Sequence, residues 1–93
     1  MSRAYKTSKE FDRVIAKLEK KDKQLYENLL NKMDEILNIE DVEYYKTLRR
    51  DLKEFKRVQV GHFVLVFKFD KTNNIILFVD FDHHDKIYKW GRL

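Results

Sequence analysis

Between Phe55 and Phe81 apolar and polar residues alternate in three runs, FKRVQV, FVLVFKFD and IILFVDF, separated by Gly61-His62 and by Lys71 to Asn74. Side chains two apart share one face of a strand. Val58 and Val60 therefore face one way, with Arg57 and Gln59 opposite. In the second run Phe63, Leu65, Phe67 and Phe69 oppose Val64, Val66 and Lys68. The third run, Ile75 to Val79, ends at Asp80 and Asp82. Gly61 tolerates positive φ, and Asn73 and Asn74 tolerate left-handed backbone, so both breaks are tight turns. The pattern predicts an antiparallel three-strand meander with one apolar face and one mixed, basic face.

Upstream the period changes from two to 3.6. Arg3 to Lys6 is a short strand whose place in the sheet, edge or centre, stays open. Thr7-Ser8-Lys9-Glu10 has the form of a capping box, S/T-x-x-E. Phe11, Val14, Ile15 and Leu18 then follow at the i, i+3, i+4, i+7 spacing of one helix face. Asp22 breaks the pattern as an N-cap, and Leu25, Leu29, Met33, Ile36 and Leu37 hold the face of a second helix. So short a break predicts an antiparallel helix hairpin, packed on the apolar face of the sheet. From Asn38 to Thr47 the period fails and a loop is expected, with Val42, Tyr44 and Tyr45 as candidate anchors. Leu48 to Glu54 leads into the meander, and a short tail carrying Trp90 follows Phe81. The fold class is α+β: an N-terminal strand, a two-helix hairpin, a meander forming one sheet with the helices on one face, and a short C-terminal tail helix.

Composition narrows this picture. Ninety-three residues with 43% apolar content make one domain, 1–93, with a modest core. No apolar run approaches the ~20 residues of a membrane span. MSRAYKTSKE lacks the apolar stretch of an export signal, so the cytoplasm is the expected compartment. There is no cysteine, hence no disulfide framework and no thiolate metal site. The net charge of +4 suits a polyanionic or acidic partner.

Candidate chemistry is sparse. Arg49, Arg50, Lys53, Lys56, Arg57 and Lys68 form a basic set, with Arg57 inside a strand where a cation contacts phosphate well. Tyr44, Tyr45, Tyr88 and Trp90 are candidates for stacking on bases. His83 and His84 are adjacent, flanked by Asp82 and Asp85. Adjacent side chains on one strand diverge, and His62 lies far off in the chain, so no metal site and no cofactor are expected; an acid–base role remains open. No phosphate-binding glycine loop or nucleophile elbow is present. Composition and spacing alone reach a small, basic α+β domain and no further.

LRRDLKEFKRVQVGHFVLVF, Leu48 to Phe67, resembles the signature stretch of the RelE/ParE-type toxins of toxin–antitoxin modules. Leu48, Leu52, Arg57, Val58, Val60, Gly61, Phe63, Val66 and Phe67 fit that pattern. The tail DHHDKIY is similar to the family's G-H-R-x-x-V-Y ending: His83, Ile87 and Tyr88 fit, and His84 stands where Arg is frequent. The RelE-like branch implies a metal-independent endoribonuclease that cleaves mRNA in the ribosomal A site. There the ribose 2′-oxygen attacks the adjacent phosphate. Carried over by position, Arg57 is the phosphate ligand, and His83, His84 and Tyr88 are the tail candidates for proton transfer and positioning. Arg49, Arg50, Lys53, Lys56 and Lys68 are candidates for RNA and ribosome contact. The implied partners are ribosome, mRNA and an acidic RelB-like antitoxin, assembled as a higher hetero-oligomer.

The sequence also departs from the pattern. Gln59 and Val64 replace basic residues, and Arg50 and Glu54 replace two glycines of the entry. Lys56 stands where an aromatic is common. Two alternatives therefore stay open: a ParE-like inhibitor of DNA gyrase, and a non-catalytic basic RNA-binding module.

Overall fold

The apolar stripes of two helices and one sheet face close on each other to form the main core. The computed structural model describes residues 2–49 and 52–88, with only the backbone of Arg49, Leu52 and Lys53. Along the chain these are β1 (Ala4–Thr7), α1 (Lys9–Lys21), α2 (Lys23–Asn38), a 3₁₀ turn (Val42–Tyr44), β2 (Thr47–Arg49), β3 (Leu52–Val60), β4 (Phe63–Asp70), β5 (Ile75–His83) and α3 (His84–Ile87). No helix among the described residues is long and apolar enough to cross a membrane.

The five strands lie in the order β1-β5-β4-β3-β2. The meander β3–β5 is antiparallel as expected. Two features extend it. β1 takes the edge beside β5, in parallel, with Tyr5 opposite Ile76. Thr47–Arg49, expected as the end of a loop and the way into the meander, instead forms a strand on the other edge, pairing Thr47 with Lys56. Val42 and Tyr45 anchor the preceding turn in the core, whereas Tyr44 is 74% exposed.

Local signals set the helix ends. The cap of α1 is Ser8, whose Oγ accepts from the Phe11 amide at 3.0 Å, so Thr7 and Glu10 do not form the expected box. The same hydroxyl donates to the carbonyl of Val79. Val79 is the extra residue of a bulge: Phe67 pairs with Phe78, but Val66 pairs with Asp80. Thus the cap satisfies a carbonyl at the very place where the β4–β5 ladder is interrupted. Asp22 caps α2 as expected, accepting from Leu25 at 3.1 Å. At the other end of α2 the Arg3 guanidinium collects the carbonyls of Ile36, Leu37, Ile39 and Glu40. Such carbonyls have no intrahelical donor at a helix C-terminus, and Leu37 also accepts from the Arg3 amide at 2.8 Å.

Phe11, Leu29, Ile36, Leu65, Phe67, Ile76 and Phe78 are fully buried between helices and sheet, with the rings of Phe11 and Phe78 stacked at 5.6 Å. The opposite face is not simply wet. Leu48, Val64, Val66 and Ile87 form a second, smaller core there, flanked by Phe55 and Val79. The mixed face expected from the alternation is thus covered at its centre by the tail helix.

Candidate active site on the helix-free face

The tail is placed by packing at one end and by the β3–β4 turn at the other. Ile87, fully buried, seats α3 on Val64 and Val66. The backbone of His84 donates to the carbonyl of His62 at 3.1 Å, which ties the start of α3 to the turn made by Gly61, at φ 63°, and His62. Phe63 pairs directly with His83, so β4 and β5 hand the chain to α3 beside that turn. His83 caps α3, its Nδ1 accepting from the Asp85 amide at 3.3 Å.

This docking brings Tyr88 to Arg57. The guanidinium carbon of Arg57 lies 5.9 Å from the centre of the Tyr88 ring, and its Nε donates to the carbonyl of Thr47 at 3.2 Å. A cation over a phenol gains roughly 0.5–1 kcal/mol at an exposed site. Tyr88 keeps 40% of its surface exposed. His84 and Tyr88 are four residues apart in a helical turn, the spacing that puts side chains on one side about 5–6 Å apart at Cβ. Arg57 and Tyr88 therefore meet on this face, and His84 precedes Tyr88 by one helical turn.

The histidines gather at the start of α3, beside the β3–β4 turn. The rings of His83 and His84 are 4.6 Å apart, and His62 stacks on His83 at 6.3 Å. The edge of His83 also meets Phe63 at 5.8 Å. The expected divergence of the adjacent imidazoles is thus overturned: one ends a strand while the other starts a helix, and the bend turns both rings to the same side. His62 is the residue that the spacing argument passed over. The pairing register holds the clue, because residues preceding Phe63 must lie beside residues following His83.

The remaining basic candidates divide. Lys68 is on the helix-free face, diagonal to Arg57 across β3 and β4, about 7–8 Å away by strand geometry. Its Nζ lies 5.3 Å from the Phe55 ring and 3.5 Å from a carboxylate oxygen of Glu54. It borders a cleft of about 530 Å³ that Lys6, Leu77 and Glu54 also line. Lys56 is a correction. Its neighbours in β3 put it on the helix side, where only 8% of it is exposed. Its ammonium pairs with Glu43 at 2.6 Å and donates to the Tyr45 carbonyl. Hydrogen bonding from Lys56 is the main reason the Glu43 carboxyl is held below its ordinary value. The side chains of Arg49 and Lys53, and all of Arg50 and Trp90, lie outside the described residues.

The two departures at basic positions have structural accounts. Val64 is 2% exposed and forms the floor beneath Ile87. Gln59 folds back to donate to the Gly61 carbonyl at 2.8 Å, bracing the turn that holds the tail. Both residues work on holding the tail in place.

A helix hairpin covers one face of the sheet, and on the other the tail brings the Tyr88 phenol to the Arg57 cation. No protein-family model matches the chain. It is 47% identical over 83 residues to "Putative toxin RelE4" of Methanocaldococcus jannaschii, covering 88% of this chain and 86% of that one. Among solved structures it resembles the toxin–antitoxin complex RelBE2 of Mycobacterium tuberculosis, with a TM-score of 0.71 at 18% identity over 90% of this chain and 93% of that one. The isolated E. coli RelE toxin aligns equally well, at a TM-score of 0.71 and 13% identity over 98% and 96% of the two chains. The chain belongs to the RelE family of toxins.

Proposed function

We propose that this toxin is a metal-independent endoribonuclease that cuts mRNA in the ribosomal A site, in the cytoplasm, and thereby stops translation. The observation that carries the reading is the placement of the Arg57 guanidinium beside Tyr88 on the helix-free face. In the reaction the 2′-hydroxyl of a ribose loses its proton to a base as its oxygen bonds to the adjacent phosphorus. The bond from phosphorus to the 5′-oxygen breaks, and that oxygen takes up a proton. The products are a 2′,3′-cyclic phosphate and a free 5′-hydroxyl. Negative charge grows on the phosphoryl oxygens, and a cation already in place stabilises it without reorganisation. That role falls to Arg57. An imidazole moves protons near neutral pH. His84, on the same side of the turn as Tyr88, supplies it, with His83 holding the turn and Tyr88 positioning the substrate. Lys68, Arg49, Arg50 and Lys53 contribute longer-range attraction to RNA. An acidic antitoxin of the kind present in the RelBE2 complex would cover the basic face, and opposite charge would speed its capture.

The test is a translation reaction on a defined message, read by primer extension. Cuts that require both ribosomes and the toxin, and that Arg57→Ala abolishes, support the reading. Intact transcripts at toxin levels that arrest translation would sink it. A supercoiling assay run alongside distinguishes a gyrase inhibitor, and salt-sensitive RNA retention without cuts marks a non-catalytic binding module.

A further inference from the structure

One cross-strand row crosses the helix-free face a single alternation beyond the Arg57–Val66 pair. Phe55 in β3 pairs with Lys68 in β4, Lys68 with Leu77 in β5, and Leu77 with Lys6 in β1. Directly paired residues point to the same face, so all four share the side of Arg57. The other face of β1 is taken by Tyr5, whose ring meets Phe78 of the main core at 5.8 Å. Strand spacing puts Lys68 about 7–8 Å from Arg57 on the diagonal and Lys6 about 10 Å beyond Lys68. Phe55 and Leu77 are half-buried, and they set apolar surface between the cations.

Lys6, Lys68 and Leu77 also line the cleft of about 530 Å³ at this end of the sheet. Most of the acid beside them is already engaged. Glu43 pairs with Lys56 at 2.6 Å. Asp70 accepts from the Asn73 amide at 3.2 Å and from the Asn73 side chain at 2.8 Å, which closes the β4–β5 turn. Glu54 competes for Lys68, at 3.5 Å, but its side chain is 65% exposed. So open an ion pair is worth little, and an incoming phosphate displaces it.

We infer that Lys68 and Lys6 form a second phosphate subsite, which holds the RNA backbone next to the linkage gripped by Arg57. Phe55 and Leu77 lie beneath the ribose and base that span the two cations. Single-stranded RNA is held by this combination, a cationic track along the backbone with platforms for the bases. The row therefore sets which linkage of the strand comes to rest at Arg57. RNA binding by the row stands on the register alone, whereas its part in placing the cut rests on the nuclease reading.

The experiment measures binding of the full chain to a short fluorescent single-stranded RNA, without ribosomes, by anisotropy over a range of salt. Each phosphate contact to a single strand contributes about 0.7 to the slope of log affinity against log salt. Lys6→Ala and Lys68→Ala should each lower the slope by about that amount, the double variant by about twice as much, and Lys6→Arg should restore it. Lys20→Ala, on α1 across the sheet, should leave it unchanged. No binding, unaltered slopes in the row variants, or an equal drop in Lys20→Ala would overturn the subsite. In the translation assay the row variants should need more toxin for the same extent of cutting. Lowered slopes in a chain that never cuts RNA refute the nuclease reading and leave the subsite standing. Ribosome-dependent cuts with unaltered slopes do the reverse.

Discussion

Arg57 and Tyr88, one in the middle of β3 and the other just past α3, meet with guanidinium over phenol at 5.9 Å. Neither is held by its own element alone, since Ile87 puts the ring there and the Thr47 carbonyl steers the cation.

Their separation by mutation is the first prediction. Arg57→Ala should lower the cleavage rate by about 10²–10³-fold if the cation stabilises the transition state. Arg57→Lys should recover only part of it, because an ammonium lacks the planar fork that grips phosphate. Tyr88→Phe keeps the ring under the cation, whereas Tyr88→Ala removes it. If positioning is the role of Tyr88, single-turnover rates will fall far more for Ala than for Phe. Equal losses would instead assign the hydroxyl to the chemistry.

The second prediction concerns the floor of the tail. Ile87→Ala deletes the anchor of α3 and should cost about 2–5 kcal/mol in chemical denaturation if docking persists to the global transition. Val64→Arg would restore the cation that this chain lacks relative to the family pattern. Because Val64 is 2% exposed beneath Ile87, that variant should displace the tail and reduce cleavage. Amide exchange at residues 84–87 measures the displacement, and improved cleavage with unchanged exchange would contradict it.

A third prediction follows from Lys56. Held by Glu43 on the helix side, it should be dispensable for RNA binding. Lys56→Met is expected to leave retention on RNA unchanged while altering acid stability. The Glu43 carboxyl is held low in the fold, so its contribution is present above the ordinary carboxylate value and is lost as pH falls through the lowered one. Melting curves between neutral pH and pH 3 should therefore steepen less in the variant.

The alkaline limb supplies the fourth. Tyr45, buried and donating to Glu35, has its pKa raised, first by burial and then by that hydrogen bond. The folded state holds the phenolic proton more tightly than the unfolded chain. The resulting stability is full below the ordinary phenol value of about 10 and drains away as pH climbs beyond it. Thermal melts from pH 8 to 11 should show this fall in the wild type and a flatter profile in Tyr45→Phe.

The helices and the meander were readable because their periods are strong and their caps local: Asp22, Gly61 and Asn74 sit where the patterns place them. What escaped was long-range. β2 is three residues long and has no alternation of its own; only pairing with β3 makes it a strand. The bulge at Val79 lets Phe78 and Phe81, three apart, both reach the helix-side core, which a strict two-residue period cannot express. Lys56 reads as surface from its charge, yet the alternation that set Val58 and Val60 inward already placed it with them. Arg57 and Tyr88 were each legible as candidates; that they touch depends on Ile87, whose neighbours come from two distant strands.

The way α3 is fastened gives the molecule two thresholds of unequal height. Among the described residues, one apolar plug and the amide and ring held at one carbonyl secure it. Pulling that plug costs about 1.5–3 kcal/mol, against roughly 5–15 kcal/mol to melt a domain. On the nuclease proposal, activity is then adjustable separately from the fold, like a latch on a door that never leaves its frame: a modest substitution beneath Ile87 is expected to disarm the chain while leaving it folded.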